Sequence, residues 1–283
     1  MSSVPAIEIK GLRKTFRDFW LRPVAEAVRG IDLTVEKGDV FGLLGPNGSG
    51  KSTTIKLLLG LLAPSAGTVR LFGLPPRTRA ARSRLGYLPE LSYLHPFLTA
   101  RETLLYYAGL SGIGGRAAKA RAAELLEQVG LSAAANRAVG SFSKGMARRV
   151  ALAAALVAKP ELLILDEPTS GLDPIGTRDV KELIRKLAGM GVTVVMTSHL
   201  LGDTEDVCTR IAILSKGKVA ACGRTDELLT RKQDARFTIA GLDEAEAKAF
   251  AAEASARFGR EVAFDHPRVP LEKFFAETVG EGR

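Results

Sequence analysis

A glycine-rich segment near residue 50 carries the residue types that bind phosphate groups. Eight residues, Gly-Pro-Asn-Gly-Ser-Gly-Lys-Ser, run from Gly45 to Ser52 and match the P-loop pattern of a glycine, four residues and then Gly-Lys-Ser. Small residues let consecutive backbone N–H groups curl around phosphate oxygens at the start of a helix. We expect Lys51 to neutralise the β- and γ-phosphates and Ser52 to offer its hydroxyl to Mg²⁺. The residues predicted to contact a bound nucleotide are Gly45, Pro46, Asn47, Gly48, Ser49, Gly50, Lys51, Ser52 and Thr53.

Two acidic residues, Asp166 and Glu167, directly follow the apolar run Leu-Leu-Ile-Leu at 162–165. In P-loop enzymes an aspartate in this place holds Mg²⁺, directly or through water. The neighbouring glutamate is placed to orient and deprotonate an attacking water. Two acids after a strand are, by themselves, usually a solvated strand end, but the upstream phosphate loop favours catalysis. We therefore expect Asp166 to be a metal ligand and Glu167 to be a general base.

The segments around these motifs predict an α/β fold. Residues 40–44 form a continuous apolar run that leads into the glycine-rich segment, as a buried parallel strand does, and a helix is predicted from residue 51 to about 62. Strand-like and helical segments then alternate, which implies a mainly parallel sheet. The other predicted strands are 7–16, 28–35, 67–72, 85–88, 162–165, 192–197, 210–214 and 219–222, with a further helix at 175–187.

The middle of the chain is predicted to be helical. Thr99, with Glu102 three residues later, indicates the capped start of a helix. The segments 117–129 and 144–158 are rich in Ala and Leu and poor in β-branched residues, so they favour helices as well. They form a predicted helical subdomain at about 91–160.

After residue 231 the texture of the sequence changes. An Ala- and Glu-rich segment at 243–258 predicts a helix, and short apolar segments accompany it at 237–240, 261–264 and 271–279. We predict a small α+β appendage at 232–283, which follows one large domain at 1–231.

In combination, these motifs resemble an ABC-type ATPase, and the resemblance runs from about residue 7 to 227. Phe-Ser-Lys-Gly-Met at 142–146 is similar to the family signature Leu-Ser-Gly-Gly-Gln; Ser143 and Gly145 match, and the third and fifth residues depart. This variant resembles the branch that serves exporters of drugs, antibiotics, lipids or polysaccharides. The resemblance implies a P-loop NTPase fold with an N-terminal antiparallel β subdomain and a helical signature subdomain. It also implies that Ser143 and Gly145 reach the γ-phosphate held by a second subunit.

Three more positions acquire roles from this resemblance. Asp173, in a Ser-Gly-Leu-Asp run, is similar to the D-loop aspartate that links the two composite sites of the family. His199 follows a predicted strand, where the family's switch histidine contacts the γ-phosphate. Glu90 occupies the Q-loop position, where most of the family has glutamine. Because Mg²⁺ favours oxygen ligands, Glu90 remains a candidate metal ligand beside Ser52 and Asp166.

The family stacks adenine on an aromatic ring that precedes the P-loop. Phe16 is our candidate for this ring, and an insert at 17–26 adds Phe19 and Trp20, either of which could compete. The stretch 91–107 resembles the surface that docks a transporter's cytoplasmic coupling helix. This stretch contains four aromatic rings, Tyr93, Phe97, Tyr106 and Tyr107. Each ring could contribute to such an interface, and packing in the core is an equal alternative for each.

Composition narrows the choice of partners. The chain has 283 residues, of which 46% are hydrophobic, and this apolar content is too high for disorder. The net charge of +9 is compatible with nucleic acid, an anionic membrane or a solvated basic face. Because the basic residues are scattered, without interleaved aromatic residues, we expect no nucleic-acid partner. Cys208 and Cys222 lack metal-type spacing and fit a reducing environment.

The resulting hypothesis is an ATPase subunit that uses ATP and Mg²⁺, with Lys51, Glu167 and His199 as its catalytic residues. The resemblance implies a homodimer, or a pair with a closely related subunit, beneath an integral membrane permease. The first ten residues lack a signal pattern, so we expect a cytoplasmic protein, peripheral on the cytoplasmic face of the membrane. The alternative is a non-transport ABC ATPase that acts on the ribosome or DNA, although tandem units, a coiled-coil insertion and zinc-type cysteines are not seen in the sequence.

Overall fold

The strand that leads into the glycine-rich segment lies in the middle of a mainly parallel sheet. The structure is a computed structural model that describes residues 4–199, 201–229, 243–259 and 262. Its strands are β1 (Ile7–Arg17), β2 (Pro23–Val35), β3 (Val40–Leu44), β4 (Ala66–Leu71), β5 (Leu85–Leu88), β6 (Leu162–Leu165), β7 (Thr193–Ser198), β8 (Arg210–Ser215) and β9 (Lys218–Arg224). Its helices are α1 (Lys51–Leu58), α2 (Arg79–Arg82), α3 (Ala100–Leu110), α4 (Gly115–Gln128), α5 (Lys144–Ala155), α6 (Pro174–Gly189), α7 (Leu201–Glu205), α8 (Thr225–Leu229) and α9 (Glu244–Phe258).

The larger sheet has the strand order β5-β6-β7-β3-β8-β9 within the described residues. Neighbouring strands from β5 to β8 pair in parallel, and β9 closes the edge as the antiparallel partner of β8. β3, β6 and β7 are buried along their whole length, which explains why their sequences are continuous apolar runs. Since these strands are parallel, their carboxyl ends share one edge, and the predicted site residues follow directly from them.

The smaller sheet is antiparallel, with the strand order β2-β1-β4. β1 pairs with β2 from Ile7 opposite Val35 to Arg17 opposite Pro23, with several register shifts along the way. The alternation of segments predicted a mainly parallel sheet, and the family resemblance implied an antiparallel β subdomain; both are confirmed.

Two apolar cores lie on opposite faces of the parallel sheet. Along β6, Leu163 and Leu165 belong to the core shared with α3, α4 and α5. The alternate residues, Leu162 and Ile164, belong to the core shared with the antiparallel sheet and α1. This two-residue period is that of a strand covered on both faces.

The helix boundaries differ from the predicted ones mainly at the carboxyl ends. α1 ends at Leu58 rather than near residue 62, because Gly60 adopts a left-handed φ of 70° that stops the helix. α5 ends at Ala155 rather than 158, shortly before Lys159 with its φ of 52°. The amino end of α3 is as predicted, with Thr99 and Glu102 forming a reciprocal capping box.

Contacts divide the chain into two units, Met1–Leu228 and Leu229–Arg283. In the second unit, α9 begins after the cap Asp243 and ends at Gly259, which has a φ of 61°. The predicted segments at 237–240 and 271–279, and all of 261–264 except Val262, lie outside the described residues. Among the residues described, no helix has the length and apolar character needed to cross a membrane.

Candidate active site

The loop between β3 and α1 has a backbone that only glycine can adopt at two points. Gly45 has a φ of 148°, and a Cβ atom there would lie 2.3 Å from the carbonyl oxygen of Leu214. Gly50 has a φ of 106°, and its Cβ would lie 2.6 Å from the carbonyl oxygen of Ala27. The loop therefore passes too close to neighbouring backbone for any side chain at these positions.

Two polar side chains of this segment, those of Ser49 and Lys51, are buried. Lys51 is buried, and its ammonium group donates to the carbonyl oxygens of Gly45 and Pro46, the latter at 3.2 Å. The Ser49 side chain is only 2% exposed, and its hydroxyl has no hydrogen-bond partner among the described residues. A buried hydroxyl without a partner costs free energy, so the loop is suited to a polar ligand.

A second contact region supports the loop from outside. The amide of Gly217, in the β8–β9 turn, donates to the carbonyl of Ser49 at 3.1 Å. The carbonyl of Gly217 in turn accepts from the amide of Arg29, on β2, at 2.7 Å. The antiparallel sheet, the phosphate loop and the edge of the parallel sheet thus meet at one glycine.

Thr197 organises the two acidic residues that follow β6. Its hydroxyl donates to Oδ1 of Asp166 at 2.6 Å and accepts from the amide of Glu167 at 2.9 Å. Thr197 lies on β7, the neighbour of β6, so strand pairing places it beside both acids. No motif in the sequence points to this role of Thr197.

Glu167 is buried, and its carboxylate is paired. Its Oε2 lies 2.8 Å from Nδ1 of His199, whose side chain is about half exposed. Glu167 has a φ of 48°, which is uncommon for a residue with a side chain and costs about 1–3 kcal/mol. Such a conformation persists where the surrounding contacts enforce it, and it often marks a functional position.

Arg148, on α5, supplies contacts to this backbone. Its side chain is buried, and Nη2 donates to the carbonyls of Asp166 and Glu167, both at 2.8 Å. Nη1 donates to the carbonyl of Glu90 at 2.9 Å, whereas the Glu90 side chain is exposed. Burial lowers the pKa of Arg148, and the nearby charges of Asp166 and Glu90 act in the opposite direction. Helical spacing could have revealed this residue, because Arg148 precedes the buried Leu152 by one turn.

The predicted signature and D-loop residues lie on exposed surface. Ser143 caps α5, with its hydroxyl accepting from the amide of Met146 at 3.2 Å. Asp173 caps α6 in the same manner, accepting from the amide of Gly176 at 2.7 Å. The space where a Cβ on Gly145 would lie is open apart from the Ser143 hydroxyl at 4.0 Å. Within the described part of the chain, no hydrogen bond joins Ser143 or Asp173 to the phosphate loop.

Phe16 lies near the end of β1 and is 39% exposed. It pairs with Ala25 on β2, two residues from Ala27, whose carbonyl approaches Gly50. The ring is thus carried by the same hairpin that contacts the phosphate loop. Phe19 and Trp20 are 91% and 72% exposed and stack edge-to-face on each other in the connection that follows.

Known proteins are similar to this chain in sequence and in fold. The family profile described as "ABC transporter" matches residues 28–170, about half of the chain. The chain belongs to the ABC transporter family. It is therefore an ATP-binding cassette with ATPase chemistry.

Relatives within the family include ATP-binding proteins of exporters. The linearmycin resistance ATP-binding protein LnrL of Bacillus subtilis is 41% identical over 77% of this chain and 72% of its own length. The Nod factor export ATP-binding protein I of Burkholderia orbicola is 41% identical over 80% of this chain and 73% of its own length. An uncharacterised ABC transporter ATP-binding protein of Nostoc sp. is 46% identical over 77% of this chain, and the match spans 66% of that relative.

Solved structures of ABC cassettes share the fold. A dimeric cassette in a post-hydrolysis state, bound to ADP and Pi, gives a TM-score of 0.69 at 26% identity, with coverage of 77% of this chain and 98% of that one. CbiO1 from Clostridium perfringens, part of the ABC transporter complex cbiONQ, gives a TM-score of 0.72 at 25% identity, with coverage of 82% and 93%.

The donor set of the cassette fits a magnesium ion bound together with nucleotide. Mg²⁺ prefers oxygen ligands and usually keeps substrate phosphates and waters in its shell. Ser52 is exposed at the start of α1, and Asp166 uses one identified oxygen, Oδ1, for the Thr197 hydroxyl. No group of three or more His, Cys, Asp or Glu side chains that could hold a metal ion occurs in the described part of the chain.

Proposed function

We propose that this cassette is the ATPase subunit of an ABC exporter, and that two cassettes enclose Mg-ATP between them. The observation that carries this proposal is the division of the site into two halves. Lys51 follows β3, Asp166 and Glu167 follow β6, and His199 follows β7, so all four lie beyond the carboxyl ends of neighbouring parallel strands. Ser143 and Asp173 instead face outward and cap only their own helices. A second copy would bring its Ser143 to the γ-phosphate of the first.

The phosphate loop would bind the triphosphate through its amides and through the start of α1, where the helix dipole favours negative charge. Lys51 would exchange its bonds to the carbonyls of Gly45 and Pro46 for bonds to phosphate oxygens. Ser52, Asp166 and Glu90 would hold Mg²⁺, which neutralises charge on the phosphates. Phe16 would stack on adenine, since it is carried by the hairpin that contacts Gly50.

Glu167 would act as the general base for the attacking water. Water attacks the γ-phosphorus, its proton passes to Glu167, and the bond from the γ-phosphorus to the β–γ bridging oxygen breaks, releasing ADP and phosphate. With its proton on Nδ1, His199 donates to Oε2 of Glu167 and leaves the other carboxylate oxygen for the water. The exposed edge of His199 can then contact the γ-phosphate.

A groove beside the Glu90 loop supports the docking of a membrane permease. It has a volume of about 220 Å³ and lies between β5, the loop after it, α3 and α5. Tyr87, Leu94 and Tyr107 line it, and alanines of α5 form its floor. Tyr93, on its rim, and nearby Phe97 are 85% and 91% exposed, which is unusual for large rings and typical of interaction surfaces. A short amphipathic helix of a permease fits such a groove.

Export is proposed because relatives at 41% identity are named for linearmycin resistance and Nod factor export. A permease partner would hold the cassette at the cytoplasmic face of the membrane. We propose domain limits at 1–231 and 232–283, with a helical subdomain at about 91–160. The alternative, an ABC ATPase that acts on the ribosome or DNA, is opposed by the exporter names of these relatives.

Oligomeric state under blocked hydrolysis tests the proposal. The Glu167→Gln protein should form dimers when Mg-ATP is added and return to monomers when it is removed, as measured by light scattering during size-exclusion chromatography. The double mutant with Lys51→Ala and Glu167→Gln should stay monomeric, because it lacks the lysine that binds the phosphates. Dimers that form equally in both proteins, or in neither, contradict the two-half site. Copurification with ribosomes or DNA instead of a permease would support the alternative.

A further inference from the structure

Arg148 connects the two loops that carry the acidic residues of the site. Its acceptors are the carbonyls of residues 166, 167 and 168 on one loop, and the carbonyls of 89 and 90 with the Ser92 hydroxyl on the other. We propose that Arg148 is a positioning residue for ATP hydrolysis, which fixes Glu167 and the Glu90 loop in one arrangement with helix α5. This inference rests on the roles of Glu167 and Glu90 proposed above.

The contacts of Arg148 use the full donor capacity of its guanidinium group. Arginine has five N–H groups in a rigid planar fork, and here they meet six acceptor oxygens at 2.6–3.1 Å. Every one of these six acceptors is uncharged. Nε and Nη2 face the loop after β6, whereas Nη1 faces the loop after β5. A lysine ammonium has three donors on one atom, so it cannot span both loops in this way.

Arg148 and Thr197 together fix both peptide planes that flank Glu167. The plane before Glu167 is held at its N–H by Thr197 and at the carbonyl of Asp166 by Arg148. The plane after it is held at the Glu167 carbonyl, also by Arg148. Since two fixed planes determine φ and ψ, these contacts enforce the left-handed φ of 48° and the direction of the Glu167 side chain.

The same side chain links this backbone to the exposed start of α5. Arg148 lies in the second turn of the helix, whose cap is Ser143. The helix and the guanidinium are rigid elements, so a displacement of α5 would be transmitted to Glu167 and Glu90. Arg148 therefore makes the alignment of Glu167, the general base, depend on the position of α5, the helix that Ser143 caps.

Substitution of Arg148 by lysine tests this role against a matched control. In Arg148→Lys, kcat for ATP hydrolysis should fall about 10- to 100-fold, since small misplacements of catalytic groups have effects of this size. KM for Mg-ATP should change less than about twofold, because the phosphate loop is untouched. Arg149→Lys is the control: Arg149 contacts the Val129 carbonyl and Asp179, away from the site, and its substitution should keep kcat within about twofold.

A double mutant separates positioning from a general structural effect. In single-turnover experiments, Arg148→Lys should add less than about a twofold loss to Glu167→Gln, since residues that act as a unit are not additive. Folding is checked by thermal unfolding, and Arg148→Gln replaces the lysine variant if the latter does not fold.

The inference is overturned by an unchanged kcat, by equal losses in the two arginine variants, or by full additivity with Glu167→Gln. If the wild-type cassette hydrolyses ATP and Arg148→Lys is equally active, only the proposed role of Arg148 is disproved. If the wild-type cassette does not hydrolyse ATP at all, the proposed function is disproved as well.

Discussion

The floor and the rim of the candidate site are built in different ways. The floor, which we define as Lys51, Asp166, Glu167 and Thr197, is tied to the sheet by hydrogen bonds to backbone and to its own members. The rim, which we define as Phe16, Ser143, Gly145 and Asp173, belongs to elements at the surface, and its two caps bond only within their helices. Under the proposed function, one chain therefore preorganises the phosphate chemistry, whereas closure over the nucleotide is supplied by a second copy.

The largest expected effect is on the floor. Lys51→Ala should reduce ATP hydrolysis at least about 100-fold, because one charge-assisted contact to the developing negative charge is lost. It should also weaken binding of a fluorescent ATP analogue, measured by titration. Lys56→Ala is the matched control, since Lys56 is exposed on the same helix. Unchanged binding and turnover in Lys51→Ala would show that the floor is not the phosphate site.

On the rim, Ser143→Ala should lower turnover about 10-fold or more while a single cassette still binds ATP with unchanged affinity. The reason is that Ser143 would act on the nucleotide of a partner rather than on its own. The control is Thr78→Ala, because Thr78 caps α2 as Ser143 caps α5, and cap removal costs about 0.5–2 kcal/mol in either case. If a single Ser143→Ala cassette bound ATP more weakly than the wild type does, the proposed difference between floor and rim would be contradicted.

Thr197→Val sharpens the account of the floor. The isosteric change removes the hydroxyl that joins Asp166 and Glu167, so turnover should fall about 10-fold and stability by about 1–3 kcal/mol. Thr193→Val, on the same strand, removes the acceptor of the Gly38 amide far from the acids. It should reduce stability similarly in thermal unfolding and leave turnover intact. Equal activity in the two variants would contradict an organising role for Thr197.

Aromatic substitutions test the nucleotide-base side of the rim. Phe16→Ala should raise KM for ATP about 5- to 150-fold, since stacking of a base on an aromatic ring contributes about 1–3 kcal/mol. Phe19→Ala and Trp20→Ala should leave KM within about twofold. If either of these raises KM more than Phe16→Ala does, that ring is the stacking partner instead.

The smallest expected effect concerns the two cysteines. Burial raises the pKa of the Cys208 thiol to about 12, and Cys222 is exposed. At pH 8, iodoacetamide should therefore modify Cys222 and spare Cys208, as read by mass spectrometry after digestion. Because the folded chain holds the Cys208 proton more tightly than the unfolded chain, stability is unaffected below about pH 8.5 and falls as pH rises toward 12. Rapid labelling of Cys208 in the folded protein would contradict this expectation and show that the structure around this residue opens.

Local patterns in the sequence were enough to predict most of the floor. The pattern from Gly45 to Ser52 predicted a phosphate-binding loop, and the apolar run before Asp166 predicted a buried strand, because these patterns reflect contacts near in sequence. The parallel sheet was predicted in the same way, the antiparallel sheet was implied by the family resemblance, and both are confirmed. The roles of the individual site residues stay predictions.

Contacts between distant segments could not be predicted. Arg148 reads as one of several basic residues in a helix, and only the packing of α5 against two loops reveals its acceptors. Thr197 likewise acquires its two partners from the pairing of β6 with β7. Helix ends were also missed, as at Leu58, because a left-handed residue beyond the end decides them.

Gly217 limits which sequence changes the hairpin of β8 and β9 can accept during evolution. Its amide bonds to the phosphate loop, its carbonyl bonds to Arg29, and a Cβ there would lie 2.9 Å from the carbonyl of Ala27. Both hydrogen bonds join backbone groups, so the requirement on the sequence is that residue 217 stays a glycine. A hairpin exchanged from a related protein is therefore tolerated when it carries glycine at this position, and it displaces the phosphate loop when it carries any other residue.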